Sequence, residues 1–475
     1  MKSLSRLVIA SILFQIAESL SLPQEQPQPQ PQPQQVHHQQ QQNGRPRVVG
    51  LPIHRSKKTL YYFNASLGTP PQHVRLHLDT GSSDMWVNTP ASHLCAQTLR
   101  FCSESGTYSA NSSATYQYIG SSFNISYADG SGSTGDYATD ILRFSGESLS
   151  GFEFGIGYKS TSPENVLGIG YPLDEAQVKQ AGRNQPYQNL PAKLHADGLI
   201  SSNSFSLWLN DVDAADGNIL FGGLDTGRFR GDLIRVPIEK INDAHTQFFI
   251  TMTGLDIGDA EVASNTALAV LLDSGTSLTY LPNDMTAKIY RLLNVAYSES
   301  QDAAVVPCSL RNDNATMTFR FSSPAAITVS LSEMILDLEA SSGVPVVLED
   351  NVPACIFGIL PAMDHPSILG DTFLRGAYTV FDLDRNEIAL ANVNFNVTGS
   401  RVVEILSGSS NTVPFSTPAS NPIAATQGLP QQGSPTDGLP ESESDASASA
   451  YERSLKSGFV ALFAFATALT LLLVV

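Results

Sequence analysis

The stretches LHLDTGSSDMWV (residues 76–87) and VLLDSGTSLTYL (residues 270–281) share one pattern: an apolar run, the tripeptide Asp-Thr/Ser-Gly, and a second apolar run. Each tripeptide lies where one β-type run ends and another begins, which predicts a loop buried between strands. A buried carboxylate is costly unless it is hydrogen-bonded or functional. The pattern therefore marks Asp79 and Asp273 as candidate catalytic residues.

A third copy of the tripeptide, Asp225-Thr226-Gly227, lies in FGGLDTGRFRG (residues 221–231). Glycines on both sides and two neighbouring arginines indicate an exposed hairpin turn. We therefore expect two of the three tripeptides to carry chemistry, and Asp225 to have only a role in the turn.

The chain of 475 residues is too long for one compact core. From about residue 59 to residue 400, short alternating apolar runs predict an all-β fold with a few short helices, such as one within residues 282–298. After each candidate Asp comes an apolar-apolar-Gly step, VLGIG (166–170) and SILGD (367–371). This echo predicts two duplicated β-lobes, residues 59–255 and 256–400, each supplying one carboxylate to a cleft between them.

The formal net charge of the chain is −18. Such acidity argues against nucleic-acid binding, and it suits an acidic medium or basic substrates. Cys and His residues do not cluster at ligand spacing, so we expect no metal site and no cofactor.

The four cysteines fall as two local pairs, which favours the disulfides Cys95–Cys102 and Cys308–Cys355. Five Asn-X-Ser/Thr sequons fit a secreted glycoprotein. They lie at Asn64, Asn111, Asn124, Asn314 and Asn396.

Both ends of the chain predict export. Residues 1–21 have a basic start and a short apolar core, as in a cleaved signal peptide. The Pro/Gln-rich residues that follow cannot build a core, and a basic cluster ends at Lys57-Lys58, before a strand-like run. We expect a propeptide over residues 22–58 that is cut at this pair; an incidental surface pair is the alternative.

Residues 401–449 are rich in Ser and Thr, which predicts a disordered, O-glycosylated stalk. Residues 450–475 place a polar spacer before an uncharged apolar tail, the order of a glycosylphosphatidylinositol (GPI) attachment signal. The attachment candidates are Ser447, Ala448 and Ser449. The chain is then expected on the outer face of the plasma membrane or on cell-wall glucan. A retained membrane helix is the alternative, and the lack of a basic anchor after the tail disfavours it.

Two carboxyl groups can hydrolyse a peptide without a metal, Ser or Cys nucleophile. When they lie about 3 Å apart they cannot both ionise easily, so one pKa falls and the other rises. At acid pH the ionised carboxylate is a base for water, while its protonated partner is an acid for the carbonyl oxygen. Asp79 and Asp273 would meet this requirement if the fold brings them together.

The chain resembles the pepsin-like aspartic proteases from about Tyr61 to Asn394. DTGSSDMWV (79–87) and DSGTS (273–277) match the two active-site loops. ISYADGSGSTG (125–135) matches the flap, and GDTFLRGAYTVFDLDRNEIALA (370–391) matches the closing strands of the C-terminal lobe. The resemblance implies a bilobal all-β fold, a monomer, peptide and protein substrates, and no cofactor.

Residues next to the two aspartates have supporting roles. Gly81 and Gly275 lack a side chain, which lets each loop turn and its backbone approach the carboxylates. Ser82 and Thr276 can each hydrogen-bond their Asp and fix its orientation.

The resemblance implies further roles. Thr80 and Ser274 match the interlocking hydroxyls under the pair. Trp86 matches the tryptophan whose indole N–H donates to the flap tyrosine, here Tyr127; core packing is the alternative for both aromatic residues. The flap has Ala128 where many members have Gly, which stiffens the hairpin without abolishing activity.

The signal peptide, basic propeptide end, stalk and lipid-type tail resemble the fungal surface-anchored aspartic proteases of the yapsin type, which implies cleavage after basic residues. Asp129, on the flap tip, is the candidate partner for a substrate Lys or Arg, although Asp-Gly is also a strong turn dipeptide. The alternatives are a catalytically silent pepsin-like binding or inhibitor protein, which the two intact loops disfavour, and a structural cell-wall glycoprotein.

Overall fold

The computed structural model describes residues 47–56, 59–97, 102–179, 185–298, 303–338, 346–348, 351–408 and 412–430. Strands dominate these ranges, which confirms the all-β prediction. The predicted signal peptide, most of the propeptide, Lys57-Lys58 and the three GPI candidates lie outside the described residues.

The N-terminal half contains twelve strands: β1 Val49–Ser56, β2 Thr59–Leu67, β3 Gln72–Asp79, β4 Met85–Asn88, β5 Gln117–Ser126, β6 Gly132–Phe144, β7 Glu147–Ser160, β8 Asn165–Gly168, β9 Ser204–Trp208, β10 Asp216–Phe221, β11 Gly223–Asp225 and β12 Phe229–Pro237.

The C-terminal half contains the other described strands: β13 Phe249–Ile257, β14 Ala260–Leu272, β15 Thr279–Leu281, β16 Ala296–Ser298, β17 Ala303–Pro307, β18 Thr316–Arg320, β19 Ala326–Ser330, β20 Ile335–Asp337, β21 Ala354–Phe357, β22 Ile359–Pro361, β23 Ser367–Leu369, β24 Ala377–Asp382, β25 Glu387–Val393, β26 Val402–Glu404 and β27 Ser416–Pro418.

The described helices are short. The α-helices are α1 His93–Gln97, α2 Leu190–Ala196, α3 Asn283–Leu293 and α4 Asp371–Leu374, and the 3-10 helices are Ala110–Ser112, Pro172–Asp174, Ala176–Lys179, Cys308–Asn312 and Leu331–Met334. Helix α3 confirms the helix predicted within residues 282–298. No helix in the described ranges is long and apolar enough to cross a membrane.

One large sheet joins the two halves, in the order β27-β12-β25-β24-β9-β10-β1-β2-β3-β8-β4-β7-β6-β5. Strands β24 and β25 come from the C-terminal half but pair with β9 and β12 of the N-terminal half. A seven-stranded sheet, β19-β18-β13-β14-β23-β15-β22, and a four-stranded sheet, β16-β17-β21-β20, complete the C-terminal lobe. The predicted lobe boundary at residues 255 and 256 falls inside β13, which pairs with β14 and β18.

Strand β1 is part of this sheet, which corrects the prediction that residues 49–56 belong to a propeptide. It pairs with β10 on one side and β2 on the other. Its alternate side chains Val49, Leu51 and Ile53 are buried. Because an interior strand contributes backbone bonds on both edges, its removal would leave two strand edges unpaired.

The segment after β25 packs against the body, which corrects the prediction of a disordered stalk starting at residue 401. Strand β26 pairs antiparallel with β11, and β27 pairs parallel with β12. Ile405 and Val413 are buried, and Gln427 bridges to Leu268 of β14. The overall composition of the segment is rich in Ser and Thr, so its few apolar residues did not predict a folded segment. These residues are buried, and the neighbouring sheet edges supply hydrogen-bond partners for its backbone. We call residues 400–408 and 412–430 the C-terminal strap.

The predicted disulfides Cys95–Cys102 and Cys308–Cys355 are both present. One lies in each lobe, and each closes a local segment.

Candidate active site

The two predicted catalytic loops occupy equivalent places in the two lobes. Asp79 is the last residue of β3, which runs parallel to β8 with Asp79 opposite Gly168. Asp273 directly follows β14, which runs parallel to β23 with Leu272 opposite Leu369. These partner strands contain the repeated apolar-apolar-Gly stretches that the sequence showed after each Asp. VLGIG includes part of β8, and SILGD includes β23.

Each carboxyl is held by its own loop. The Gly81 amide donates to Asp79 Oδ1 at 2.8 Å, and Ser82 Oγ donates to Asp79 Oδ2 at 2.5 Å. In the second lobe the Gly275 amide donates to Asp273 Oδ1 at 2.8 Å. The oxygens of each Asp are thereby fixed in direction.

The second hydroxyl donor completes the symmetry. Thr276 Oγ1 donates to Asp273 Oδ2 at 2.5 Å, as Ser82 does for Asp79. The structure therefore places Ser82 and Thr276 where the sequence analysis expected them.

The loops are locked together beneath the carboxyls by crossed hydrogen bonds. The Thr80 amide donates to Ser274 Oγ at 3.2 Å, and the Ser274 amide donates to Thr80 Oγ1 at 2.9 Å. Thr80 Oγ1 donates to the Leu272 carbonyl and Ser274 Oγ to the Leu78 carbonyl, both at 2.9 Å. All four residues that bond are buried in the interface between lobes, so neither loop can shift without the other.

The carboxyls of Asp79 and Asp273 face each other where the two loops meet. A Cβ on Gly81 would lie 2.5 Å from Asp273 Cγ, and a Cβ on Gly275 would overlap the Asp79 carboxyl. Glycine is therefore required at both positions by the close approach of the opposite Asp.

Burial shifts the titration of both acids. Burial raises the pKa of Asp79, although the bonds from Ser82 and Gly81 oppose this. Burial, and then the negative charge of Asp79, raise the pKa of Asp273 to about 7. Because two negative charges on facing carboxyls repel, ionisation of Asp79 disfavours ionisation of Asp273.

The flap is the hairpin between β5 and β6. At its tip the Tyr127 amide donates to the Ser131 carbonyl at 2.8 Å, and Gly130 takes a φ of +80° that favours glycine. Trp86 Nε1 donates to Tyr127 Oη at 2.8 Å. Burial, and then the charge of Asp79, raise the pKa of Tyr127 well above its ordinary value. The tyrosine therefore stays a neutral phenol beside the first carboxyl.

Asp129 lies at the exposed tip of this hairpin. Its Oδ1 accepts the Ser131 amide at 2.8 Å, which is the turn bond that an Asp-Gly dipeptide supplies. The structure therefore supports the turn role directly.

Asp225 is buried, which corrects the prediction that it lies in an exposed turn. Its Oδ1 accepts the amides of Gly227 and Arg401, both at 2.9 Å, and its Oδ2 accepts Ser400 Oγ at 2.8 Å. Arg228 Nε lies 3.5 Å from Oδ2. The flanking glycines were misread because the residues that bury Asp225 come from the C-terminal strap, far away in the sequence.

Asp371, which the sequence patterns did not single out, is a buried acid whose charge raises the pKa of Tyr61. Its Oδ2 accepts the Leu60 amide at 3.2 Å, and burial raises its own pKa well above the ordinary range, opposed by Arg375. Asp371 lies in GDTFLRG (370–376), within the stretch that matches the closing strands of the C-terminal lobe.

The five sequon asparagines are all exposed. Asn396 differs from the others because its side-chain amide donates to Asp211 and its backbone has a φ of +54°.

A bilobal all-β fold with two facing Asp-Thr/Ser-Gly loops defines the aspartic-type endopeptidases. Residues 60–393 match the family model of the eukaryotic aspartyl proteases, and the chain belongs to this family.

Curated relatives agree with this assignment. The chain is 49% identical over 387 residues to "Probable aspartic-type endopeptidase opsB" of Aspergillus fumigatus, covering 80% of this chain and 78% of that protein. It is 46% identical over 387 residues to "Probable aspartic-type endopeptidase OPSB" of Arthroderma benhamiae, with 80% and 78% covered. It is 34% identical over 360 residues to "Secreted aspartic protease 1" of Candida albicans, with 74% and 86% covered.

Proposed function

We propose that Asp79 and Asp273 form the catalytic pair of an acid endopeptidase. The observation that carries this proposal is that the two carboxyls are buried on facing loops. Reciprocal hydrogen bonds between Thr80 and Ser274 join these loops. A water held between the carboxyls loses a proton to the ionised member and attacks the scissile carbonyl, while the protonated member donates to the carbonyl oxygen. The tetrahedral intermediate collapses when a proton passes to the leaving nitrogen.

Other residues position the reactants. The Ser82 and Thr276 hydroxyls donate to the Oδ2 atoms of Asp79 and Asp273, which leaves the two Oδ1 atoms to bind the water. Tyr127 closes over the substrate from the flap, and Trp86 fixes the direction of its hydroxyl.

Acid-dependent cleavage of a peptide library, with pepstatin as inhibitor, tests this activity. We expect pepstatin-sensitive hydrolysis with an optimum at about pH 4–6, where the pair holds one proton. A folded mature protein without activity over this range would instead support a silent pepsin-like binder or a structural wall glycoprotein.

We further propose that the enzyme is secreted and tethered at the cell surface by a GPI lipid near Ser447, Ala448 and Ser449. The sequence of residues 450–475 and the name of the Candida relative, which is a secreted protease, support this. Phosphatidylinositol-specific phospholipase C treatment of intact cells tests the tether. Release of the protease is expected, and retention with a membrane-embedded tail would overturn it.

The end of the propeptide is proposed to lie upstream of β1, at Arg45 or Arg47, instead of at Lys57-Lys58. Burial of Val49, Leu51 and Ile53 supports this, since each buried aliphatic side chain contributes about 1.5–3 kcal/mol. N-terminal sequencing of the mature enzyme decides between them. A start near Val48 is expected, and a start at Thr59 would restore the original prediction.

A preference for Lys or Arg before the scissile bond is proposed to come in part from Asp129. Its turn bond uses Oδ1, and the residue is exposed on the flap tip. A charge-assisted bond contributes about 1.5–3 kcal/mol, which predicts roughly ten- to a hundredfold selectivity. Asp129→Thr should lower the kcat/KM ratio of matched Lys and Leu peptides; an unchanged ratio would leave Asp129 with the turn alone.

A further inference from the structure

A second pair of carboxyls, Asp84 and Glu175, is buried beside the active site. Asp84 is 1% exposed and Glu175 is 0% exposed. Asp84 follows the first catalytic loop and lies two residues before Trp86, and Glu175 lies between the 3-10 helices Pro172–Asp174 and Ala176–Lys179.

Asp84 joins three separate parts of the N-terminal lobe. Its Oδ1 accepts Tyr137 Oη from β6 at 2.9 Å and Tyr187 Oη at 3.2 Å. Its Oδ2 accepts the Ala176 amide at 2.7 Å. The loop that carries Asp79 is therefore tied through Asp84 to the flap strand β6 and to the segment around residues 172–187.

Glu175 has fewer partners. Its Oε2 accepts the Tyr187 amide at 2.8 Å, and its buried Oε1 has no hydrogen-bond partner. Neither Asp84 nor Glu175 forms a salt bridge with any residue in the described ranges. A negative charge on Glu175 would therefore be buried without a cation to offset it.

The groups that face the pair are acidic or phenolic. Asp84 is faced by Tyr137, Tyr187 and Asp174, and Glu175 by Asp84 and by Glu153 of β7. The nearby Lys179 is bound to Asp174, with Nζ 3.1 Å from Oδ1. The amide of Gln177 faces Glu175 and stabilises its charge only in part.

The pair supports the aromatic wall behind the flap. The wall is a chain of four rings in which each ring contacts the next: Trp86, Phe123, Tyr137 and Tyr187. The successive ring centroids are 6.4, 5.2 and 6.1 Å apart. Tyr127 packs against this cluster and accepts the bond from Trp86. A displacement of Tyr137 or Tyr187 is therefore transmitted to the flap tyrosine through packed rings.

We propose that Asp84 and Glu175 are positioning residues, which hold Trp86 and the flap tyrosine in their working places only while the pair keeps at least one proton. Repulsion between two uncompensated charges would separate the segment around residues 172–187 from the Asp79 loop. The role deepens the proposed protease function, since the flap acts only in a working enzyme.

The titration of the pair agrees with its geometry. Burial raises the pKa of Asp84 to about 6, and burial, followed by the charge of Asp84, raises the pKa of Glu175 to about 10. Asp84 thus ionises first, and Glu175 keeps its own proton to higher pH. A carboxyl whose folded pKa is raised stabilises the fold fully below its unfolded value of about 4 and loses this contribution as pH rises. The loss runs to about pH 6 for Asp84 and to about pH 10 for Glu175.

Glu175→Gln tests the proposal, because Gln keeps a carbonyl for the Tyr187 amide but cannot ionise. The chain has two tryptophans, so Trp208→Phe leaves Trp86 as the sole tryptophan emitter. We expect the parent to lose Tm as the pH rises from 4 to 10, and its Trp86 emission to move to longer wavelength only as the pH approaches about 10, where Glu175 loses its proton. In Glu175→Gln the fall of Tm should be smaller by at least about 5 °C, and the Trp86 emission should stay nearly constant over the same pH range.

Parallel losses of Tm in the parent and in Glu175→Gln would overturn the proposal, as would a Trp86 emission that stays constant in the parent up to and beyond pH 10. Asp213→Asn, which neutralises an exposed acid of the same lobe outside the flap, is the matched control and should follow the parent. If Glu175→Gln does not fold, Asp84→Asn should still flatten the fall between pH 4 and pH 6, and an unflattened fall contradicts the account. Neither readout needs catalysis, so failure here is distinguishable from failure of the proposed protease function.

Discussion

The loops at Asp79 and Asp225 contain the same tripeptide and fold it in the same way. The Gly amide donates to Oδ1 of the Asp at 2.8 Å in the first loop and at 2.9 Å in the second. A serine hydroxyl donates to Oδ2 in both, from Ser82 in the first and from Ser400 in the second. Local sequence therefore sets the bond from the Gly amide in both loops, whereas the serine donor is local only in the first loop.

What lies across from each carboxyl differs. Asp79 faces Asp273, another acid, whose pKa is raised by burial and then by the charge of Asp79. Asp225 faces the Arg401 amide and the Arg228 guanidinium, which satisfy its charge. An Asp-Thr-Gly loop thus becomes a candidate catalytic site when a second carboxyl meets it, and a structural clamp when the C-terminal strap does.

The largest expected effect is that of Asp273→Asn. Loss of one member removes the shared proton, so kcat/KM at acid pH should fall by about 10³-fold or more, as for other groups that act as a unit. Steady-state kinetics on the mature enzyme measures this. The melting temperature serves as the control for folding, and near-normal activity in a folded variant would separate Asp273 from the chemistry.

Ser82→Ala should have the next largest effect. The bond to Asp79 Oδ2 is charge-assisted and worth about 1.5–3 kcal/mol, so we expect roughly ten- to a hundredfold lower kcat/KM. Thr276→Ala is the matched change in the other lobe and should behave alike. An effect on stability with unchanged kcat/KM would mean that the hydroxyls serve the fold alone.

The pH dependence of kcat tests the ionisation of the Asp79–Asp273 pair. Asp273 has a pKa of about 7, so its proton is present below that pH and lost above it. We expect kcat to fall reversibly, by about tenfold per pH unit, once the pH exceeds about 7. A brief exposure to pH 8 followed by assay at pH 4.5 should restore activity at once; a profile that stays flat to pH 9 would contradict the shared proton.

Ser400→Ala should have the smallest effect on activity. It removes the bond to Asp225 Oδ2 and loosens the strap, which costs about 1–2 kcal/mol of unfolding free energy. Urea unfolding measures this loss, while kcat/KM per folded molecule should match that of the parent. Equal stability in the two proteins would show that the strap contributes little.

The sequence predicts the two loops, the flap and the lobes because their signals are local. Asp79 and Asp273 each lie between apolar runs, and the residues that hold their carboxyls are two or three positions away. The burial of Asp225 depends on its hydrogen bonds from Ser400 and Arg401, which are too distant in the sequence for a local pattern to predict. The position of β1 was misassigned for the same reason, since its partner strand β10 lies far along the chain.

The most direct test compares Asp79→Asn with Asp225→Asn in one experiment, with kcat/KM at pH 4.5 and thermal unfolding measured on both. The account predicts that Asp79→Asn loses activity by about 10³-fold or more with its fold intact. It predicts that Asp225→Asn keeps parental kcat/KM per folded molecule but loses about 1.5–3 kcal/mol of stability. Activity retained in Asp79→Asn, or lost from well-folded Asp225→Asn, would contradict it.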